Sequence, residues 1–157
     1  MNLDTRIKQA LLEINFVERY ENISKKYDRG RTPKGQELDY FDGDFLMEIV
    51  ELLGYKAQYD KRERFFHIDL EEIGYFRFGF HFALEYGRLE LIWVVYEEDK
   101  VVLGSPWTRY PRLMIARDYI IKQPIISDYV DFRDIMKIAF EMYEDFKQVF
   151  LKISKDK

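Results

Sequence analysis

Hydrophobic residues recur every three or four positions near both ends of the chain and every second position in its middle. At the N-terminal end, the apolar series from Leu3 to Val17 predicts an amphipathic helix over about residues 3 to 26. The stretch DRGRTPKGQ, residues 28 to 36, follows with two glycines, a proline and three closely spaced basic residues. It is predicted to be a mobile loop because glycine and proline disfavour regular structure there.

Two further helices are predicted. One begins in an acidic stretch at Asp42 or Asp44 and ends before Gly54, which is placed to cap its C-terminus. The other follows from the helical spacing of apolar residues in DFRDIMKIAFEMYEDFKQVFLKI, residues 131 to 153, with Asp131 as the expected N-cap.

Between these helices the period changes to two, which predicts an antiparallel meander of strands joined by short polar turns. In the clearest strand, alternate residues from Phe76 to Leu84 point to one face, which is expected to face the core. A sixth, short strand is expected within RLMIARDYIIK, residues 112 to 122, because a long structureless connection is unusual in a compact domain. The strands are predicted at YKAQYD (55–60), RFFHIDL (64–70), YFRFGFHFALEY (75–86), RLELIWVVYE (88–97) and VVLG (101–104).

The order of these elements predicts an α+β fold, an antiparallel five- to six-stranded meander sheet with N-terminal helices and a C-terminal helix packed mainly on one face. The chain has 157 residues, of which 47% are hydrophobic and 17% aromatic. That is enough for a sizeable core but short for two domains, so residues 1–157 are predicted to form a single domain.

Composition narrows the chemistry that the chain is expected to perform. It has no cysteine, which removes disulfides, thiolate catalysis and cysteine-ligated zinc. The charged N-terminus is unlike a secretory signal, and the longest apolar run, LIWVVY, is far shorter than the roughly 20 residues that cross a bilayer. We therefore expect a cytoplasmic protein that neither spans a membrane nor needs a cofactor.

Catalytic signatures are weak. The sequence has no P-loop, dinucleotide fingerprint, H-E-x-x-H pattern or EF-hand spacing, and Ser105 is not in a G-x-S-x-G elbow. The only two histidines, His67 and His81, fall on the less apolar faces of neighbouring predicted strands. With Asp69 or Glu85 they could form a metal site or an acid/base pair. The alternative, which we favour, is that they are partly exposed side chains without a catalytic role.

Acidic residues are concentrated where strands turn and where the second helix begins. Residues 37 to 51 carry six acids and no base, in a chain whose formal net charge is −4. Such a surface repels nucleic-acid phosphates, so direct nucleic-acid binding is not expected, whereas a basic protein partner would fit. The alternative is that the acids only keep a very aromatic domain soluble. The candidate contacts are Asp39, Asp42, Asp44, Glu97, Glu98 and Asp99.

The stretch VVLGSPWTRYPRLMIAR, residues 101 to 117, gathers arginines and large aromatics without a single acid. Trp, Tyr and Arg are enriched at the energetic centres of protein interfaces, and prolines would limit the loop's conformations. The candidate contacts here are Trp107, Arg109, Tyr110 and Arg112. The alternative is that Trp107 is a local plug beneath the loop while Arg109 and Arg112 pair with the domain's own carboxylates.

The segment LELIWVVYEEDKVVLGSPWTRYPRLM resembles the strand, acidic turn, strand and loop core of several families of bacterial immunity proteins, which neutralise contact-dependent growth inhibition toxins and related polymorphic toxins. The resemblance is one of character and layout across most of the chain. It implies a cytoplasmic toxin inhibitor that binds a cognate toxin domain, often a basic nuclease, as a monomer in a one-to-one complex. Acidic residues would stand in for the phosphates of the toxin's substrate.

Two other functions fit the same sequence. A type III-like secretion chaperone would also be small, acidic and α+β, but it would be a dimer holding an effector segment along apolar grooves. A small enzyme working through His67 or His81 is the third hypothesis.

Overall fold

The computed structural model describes residues 2–155. It contains five helices and six strands within that range. In chain order they are α1 (Thr5–Glu13), α2 (Phe16–Lys26), α3 (Gly43–Leu52), β1 (Ala57–Asp60), β2 (Phe65–Ile68), β3 (Glu71–Ile73), β4 (Phe76–Glu85), β5 (Arg88–Glu97), β6 (Lys100–Leu103), α4 (Arg109–Met114) and α5 (Tyr129–Lys155).

The N-terminal segment forms two helices, so the prediction of one helix over residues 3 to 26 was wrong. Asn15 adopts a left-handed conformation, with φ 55° and ψ 45°, and separates α1 from α2. Asparagine tolerates this conformation better than most residues, so it provides a natural break point. Phe16 follows the break immediately and is fully buried in the core.

The second predicted helix is confirmed as α3. The Asp42 carboxylate accepts a hydrogen bond from the Asp44 backbone N–H at 3.0 Å and caps the helix. At the other end Gly54 has φ 101°, the left-handed conformation that ends many helices.

One antiparallel sheet runs in the order β1-β2-β4-β5-β6, with β3 also paired to β4. The five longer predicted strands are confirmed, and β4 and β5, of ten residues each, form a hairpin closed at Tyr86 and Gly87. The sixth strand is not in residues 112 to 122, where the prediction was wrong, but at β3. Strand β2 pairs only with the Phe82 end of β4, so the Phe76 end has a free edge that β3 occupies.

Helix α5 lies against the aromatic face of the sheet and, at 27 residues, is about 40 Å long. It begins at Tyr129, so the prediction of Asp131 as its N-cap was wrong. The Asp128 carboxylate accepts the Asp131 N–H at 2.8 Å, and the Asp131 carboxylate accepts the N–H of Ser127 at 3.1 Å. In the described part of the chain, no helix combines the length and the apolar character needed to cross a membrane.

The hydrophobic core lies between the sheet and the helices, which confirms the predicted α+β class. Alternation along β4 and β5 places one set of side chains in this core, as predicted. Among the largest buried side chains are Phe78, Phe80, Phe82 and Trp93 from the sheet and Phe132, Tyr143 and Phe146 from α5.

Candidate partner-binding surface

The acidic segment before α3 is on the surface. Asp39, Asp42 and Asp44 are all exposed, so all three carboxylates are accessible to a partner. Tyr40 lies among them with 94% of its surface accessible to solvent. An almost fully exposed tyrosine between acids leaves a large amphipathic side chain available to a partner.

A groove of about 300 Å³ lies directly beside these acids. Its apolar floor is formed by Phe41, Met47, Tyr59 and Phe66, and Asp42 and Asp44 form its charged edge. We call this cavity, together with Asp39 and Tyr40, the α3 groove. It combines an apolar floor with an acidic edge, which suits a partner side chain that has an apolar stem and a cationic end.

Contacts between elements hold the α3 groove in shape. The Asp42 backbone N–H donates to the Tyr129 hydroxyl of α5 at 2.9 Å. The Phe45 and Tyr129 rings meet edge to face with centroids 4.6 Å apart. Asp42 also caps α3, where a negative charge interacts favourably with the helix dipole. A surface held in this way loses little conformational entropy when a partner binds.

The three acids at the turn between β5 and β6 have different surroundings. Glu97 accepts two hydrogen bonds from the Arg6 guanidinium, at 2.9 and 3.2 Å, and Arg6 lowers the pKa of the Glu97 carboxyl. Glu98 and Asp99 are exposed and line a shallow cleft of about 420 Å³ with Tyr75. Glu97 is therefore committed to an internal ion pair, while its two neighbours remain accessible.

The two acidic clusters are not brought together. Phe66 of the α3 groove pairs with Phe82, whereas Glu97 pairs with Phe76, six residues away along β4. At about 3.4 Å per residue, the clusters are separated by about 20 Å along the strand direction alone. They form two separate patches, and only the α3 groove combines its acids with an apolar floor.

Trp107 and Tyr110 do not form an exposed contact surface, and their prediction as partner contacts was wrong. Both side chains are fully buried. The Trp107 backbone N–H donates to the Leu91 carbonyl at 2.8 Å, and the Tyr110 hydroxyl donates to the Ser105 carbonyl at 2.9 Å. The loop is thus pinned to the edge of β5, and its aromatic side chains point inward. The plug alternative describes Trp107 correctly.

The arginines of the same loop remain outside. Arg109 and Arg112 are exposed, and the Arg112 Nε donates to the Arg117 carbonyl at 2.8 Å. Across residues 2–155 neither guanidinium forms an ion pair with a carboxylate, so the alternative of internal pairing does not describe them. They are accessible cations, but without the tryptophan and tyrosine that were expected beside them.

The histidines meet as the strand pattern predicted. His67 and His81 are directly opposite each other on β2 and β4, with ring centroids 5.9 Å apart, and His81 stacks on Phe65. Burial, with a smaller contribution from His67, lowers the pKa of His81 from 6.5 to about 4. In the described range, no three His, Cys, Asp or Glu side chains are grouped so that they could hold a metal ion.

Tyr40 and Tyr59 also contribute to this surface, although neither was predicted as a contact from the sequence. Tyr40 was detectable as an aromatic residue directly after Asp39 in the acidic run LDYFD. Tyr59 was not detectable, because its place beside Phe66 and α3 depends on the pairing of β1 with β2.

Chemically, the α3 groove offers acids, exposed aromatic surface and an apolar floor, which are the elements of a binding surface for a basic protein. Comparison with protein-family models, with curated proteins and with solved structures finds no match for the chain.

Proposed function

We propose that this protein is a toxin inhibitor, an immunity protein of the kind that neutralises contact-dependent growth inhibition toxins. It would act in the cytoplasm as a monomer and bind a cognate, basic toxin domain in a one-to-one complex. The observation that carries the proposal is the α3 groove, where exposed Asp39, Asp42 and Asp44 adjoin the exposed Tyr40 and an apolar floor.

The chemistry of the α3 groove favours a cationic partner. A lysine or arginine from the partner would lay its apolar stem over Phe41 and Met47 and place its charge beside Asp42 and Asp44. Tyr40 would supply an aromatic anchor at the edge. A toxin that acts on nucleic acid presents cations to phosphates, and carboxylates arranged on an inhibitor can occupy the same cations.

The proposal is tested by affinity capture from cells that naturally express the chain, with three forms as bait. They are the wild type, the double variant Asp39→Lys/Asp44→Lys and the control Glu13→Lys/Asp118→Lys, which changes the net charge by the same amount at exposed acids outside the groove. Thermal melting of each bait first establishes that it is folded.

We expect the wild type and the control to retain one basic protein, in a one-to-one complex by light scattering, and the groove variant to lose it. The purified chain should then block that protein's toxicity. Equal capture by all three baits would contradict the role of the groove. A stable dimer carrying an extended effector segment would replace the inhibitor with the secretion chaperone.

A further inference from the structure

A second concavity carries the opposite charge. It is an open cleft of about 530 Å³ between the end of α2, the following loop, the start of β5 and the segment before α5. Four cations line it, in a chain whose net charge is −4: Lys25, Arg29, Arg88 and Lys122. Asp28 is the single acid in its lining, and Ile125 contributes apolar surface. We call it the cationic cleft.

Hydrogen bonds to backbone carbonyls fix the walls of the cationic cleft. The Ile125 N–H donates to the Tyr27 carbonyl at 2.8 Å, and the Ser24 hydroxyl donates to the Lys122 carbonyl at 2.7 Å. The Leu89 N–H donates to the Pro124 carbonyl at 3.0 Å. Three segments far apart in sequence are therefore joined at this point, and the cations converge because the fold holds their backbones together.

Two nearby acids, Asp28 and Glu37, compensate part of this positive charge. The Asp28 carboxylate accepts the Arg31 backbone N–H at 3.0 Å, and Glu37 pairs with Arg29 at 2.8 Å. Within residues 2–155, Lys25, Arg88 and Lys122 form no ion pair. Like charges that face one concavity repel each other, and an anion bound between them removes that repulsion.

We propose that the cationic cleft binds a phosphate monoester of metabolite size. The Arg88 guanidinium can form paired hydrogen bonds with phosphate oxygens, and the two lysines, Lys25 and Lys122, add point charges. A phosphate monoester carries a charge of about −1.5 to −2 at neutral pH, which matches several cations better than a single carboxylate does.

The cleft volume lies within the range of about 300–1,000 Å³ that is usual for small-molecule sites. It exceeds what a bare ion needs, and Ile125 offers apolar contact to the organic part of the ligand. This inference does not rest on the toxin-inhibitor proposal, because the cationic cleft and the α3 groove share no lining residue.

The test is calorimetric titration with adenosine monophosphate, glucose 6-phosphate and phosphoserine, each beside its dephosphorylated counterpart, and with inorganic phosphate. The cleft variant is Arg88→Gln/Lys122→Gln. Its matched control is Arg62→Gln/Lys137→Gln, which removes the same charges from exposed positions on other elements. Amide NMR shifts for residues 24 to 30 and for Lys122, Gln123 and Ile125 locate the binding.

We expect at least one phosphate monoester to bind with a Kd below about 1 mM, and about tenfold or more tightly than its dephosphorylated counterpart or inorganic phosphate. The cleft variant should lose about tenfold in affinity or more, and the control should bind like the wild type. Absence of binding up to about 10 mM would overturn the proposal. So would equal losses of affinity in the cleft variant and the control.

Discussion

Trp107 shows how the same residue can satisfy two opposite arguments from sequence. Its ring meets Phe16, Tyr20 and Trp93 nearly edge to face, with centroids 5.0, 5.2 and 5.1 Å away. Tryptophan is common both at the centres of interfaces and in hydrophobic cores. The neighbouring arginines favoured the prediction of an interface. The contacts of Trp107 with α2 and β5 place its side chain in the core. These contacts join segments distant in sequence, so no local pattern predicts them.

Trp107→Ala is expected to lower the free energy of unfolding by about 3–5 kcal/mol, because it leaves a large cavity among packed rings. Urea denaturation measures the change. Tyr40→Ala is the matched comparison: it should change stability by less than about 0.5 kcal/mol, since Tyr40 is exposed, but weaken partner binding by about 2 kcal/mol. A Trp107→Ala protein as stable as wild type would contradict the burial of this side chain.

His81 makes folding stability depend on pH. Its folded-state pKa is about 4, lowered from 6.5 by burial first and by His67 second, while Asp60 acts in the opposite direction. Between pH 6.5 and 4, the His81 side chain is protonated in the unfolded chain but remains neutral in the folded protein. The contribution of His81 therefore destabilises the protein as the pH falls from about 6.5 to about 4.

We expect His81 to account for a loss of about 1–2 kcal/mol over that range, after allowance for solvent screening. The His81→Phe variant, which keeps a ring against Phe65, should lose less stability than wild type between pH 6.5 and 4. His67→Gln is the control and should retain most of the loss. Denaturation at several pH values gives these differences, and identical pH profiles for wild type and His81→Phe would refute the assignment.

At the scale of elements, the periodicity of hydrophobic residues predicted most of the helices and strands. The burial of one face of each element produces this periodicity within the element's own sequence. Alternation along β4 and β5 and the helical spacing along α5 follow from one face of each element meeting the core. The predictions that failed concern features that depend on a single residue or on pairing with a segment distant in sequence. Asn15 divides α1 from α2 within an unbroken apolar series, and β3 forms because the edge of β4 is free beside it.

The same division applies to the candidate site. The acids of the α3 groove were found from sequence, because a run of like charges without counter-charge is visible by itself. Its floor was not, because Tyr59 and Phe66 come from β1 and β2 while Phe41 and Met47 come from the α3 region. Local pattern thus identified the charge, and only tertiary structure revealed the cavity.

The variant Asn15→Ala tests the break between α1 and α2, because the break and a continuous helix predict changes of opposite sign in the free energy of unfolding. Alanine in the left-handed conformation costs about 1–2 kcal/mol, so we expect the free energy of unfolding to fall by about 1 kcal/mol. Glycine adopts this conformation readily, and Asn15→Gly should be close to neutral. A continuous helix predicts the reverse, since alanine is the best helix former and glycine among the worst. Chemical denaturation of both variants distinguishes the two.

At the scale of the whole molecule, charge is separated rather than mixed. Acids with an apolar floor lie at the α3 groove, and a second pair of accessible acids lies at the turn between β5 and β6. Four cations line the cationic cleft, and one of them, Arg29, is paired with an acid. The net charge of −4 is therefore the sum of separate negatively and positively charged surfaces. The overall composition predicted an acidic surface but gave no indication of a local cationic one.

The measurement that tests the proposed inhibitor most directly is the Kd of the purified one-to-one complex, at low and high salt, for two double charge reversals. Asp39→Lys/Asp44→Lys alters the α3 groove, and Glu98→Lys/Asp99→Lys makes the same change in charge at the turn between β5 and β6. We expect the groove variant to weaken binding about 100-fold at low salt, with a smaller effect at high salt, and the turn variant to stay within about threefold of wild type. Equal effects of the two variants, or no effect of the groove variant, would contradict the assignment of partner binding to the α3 groove.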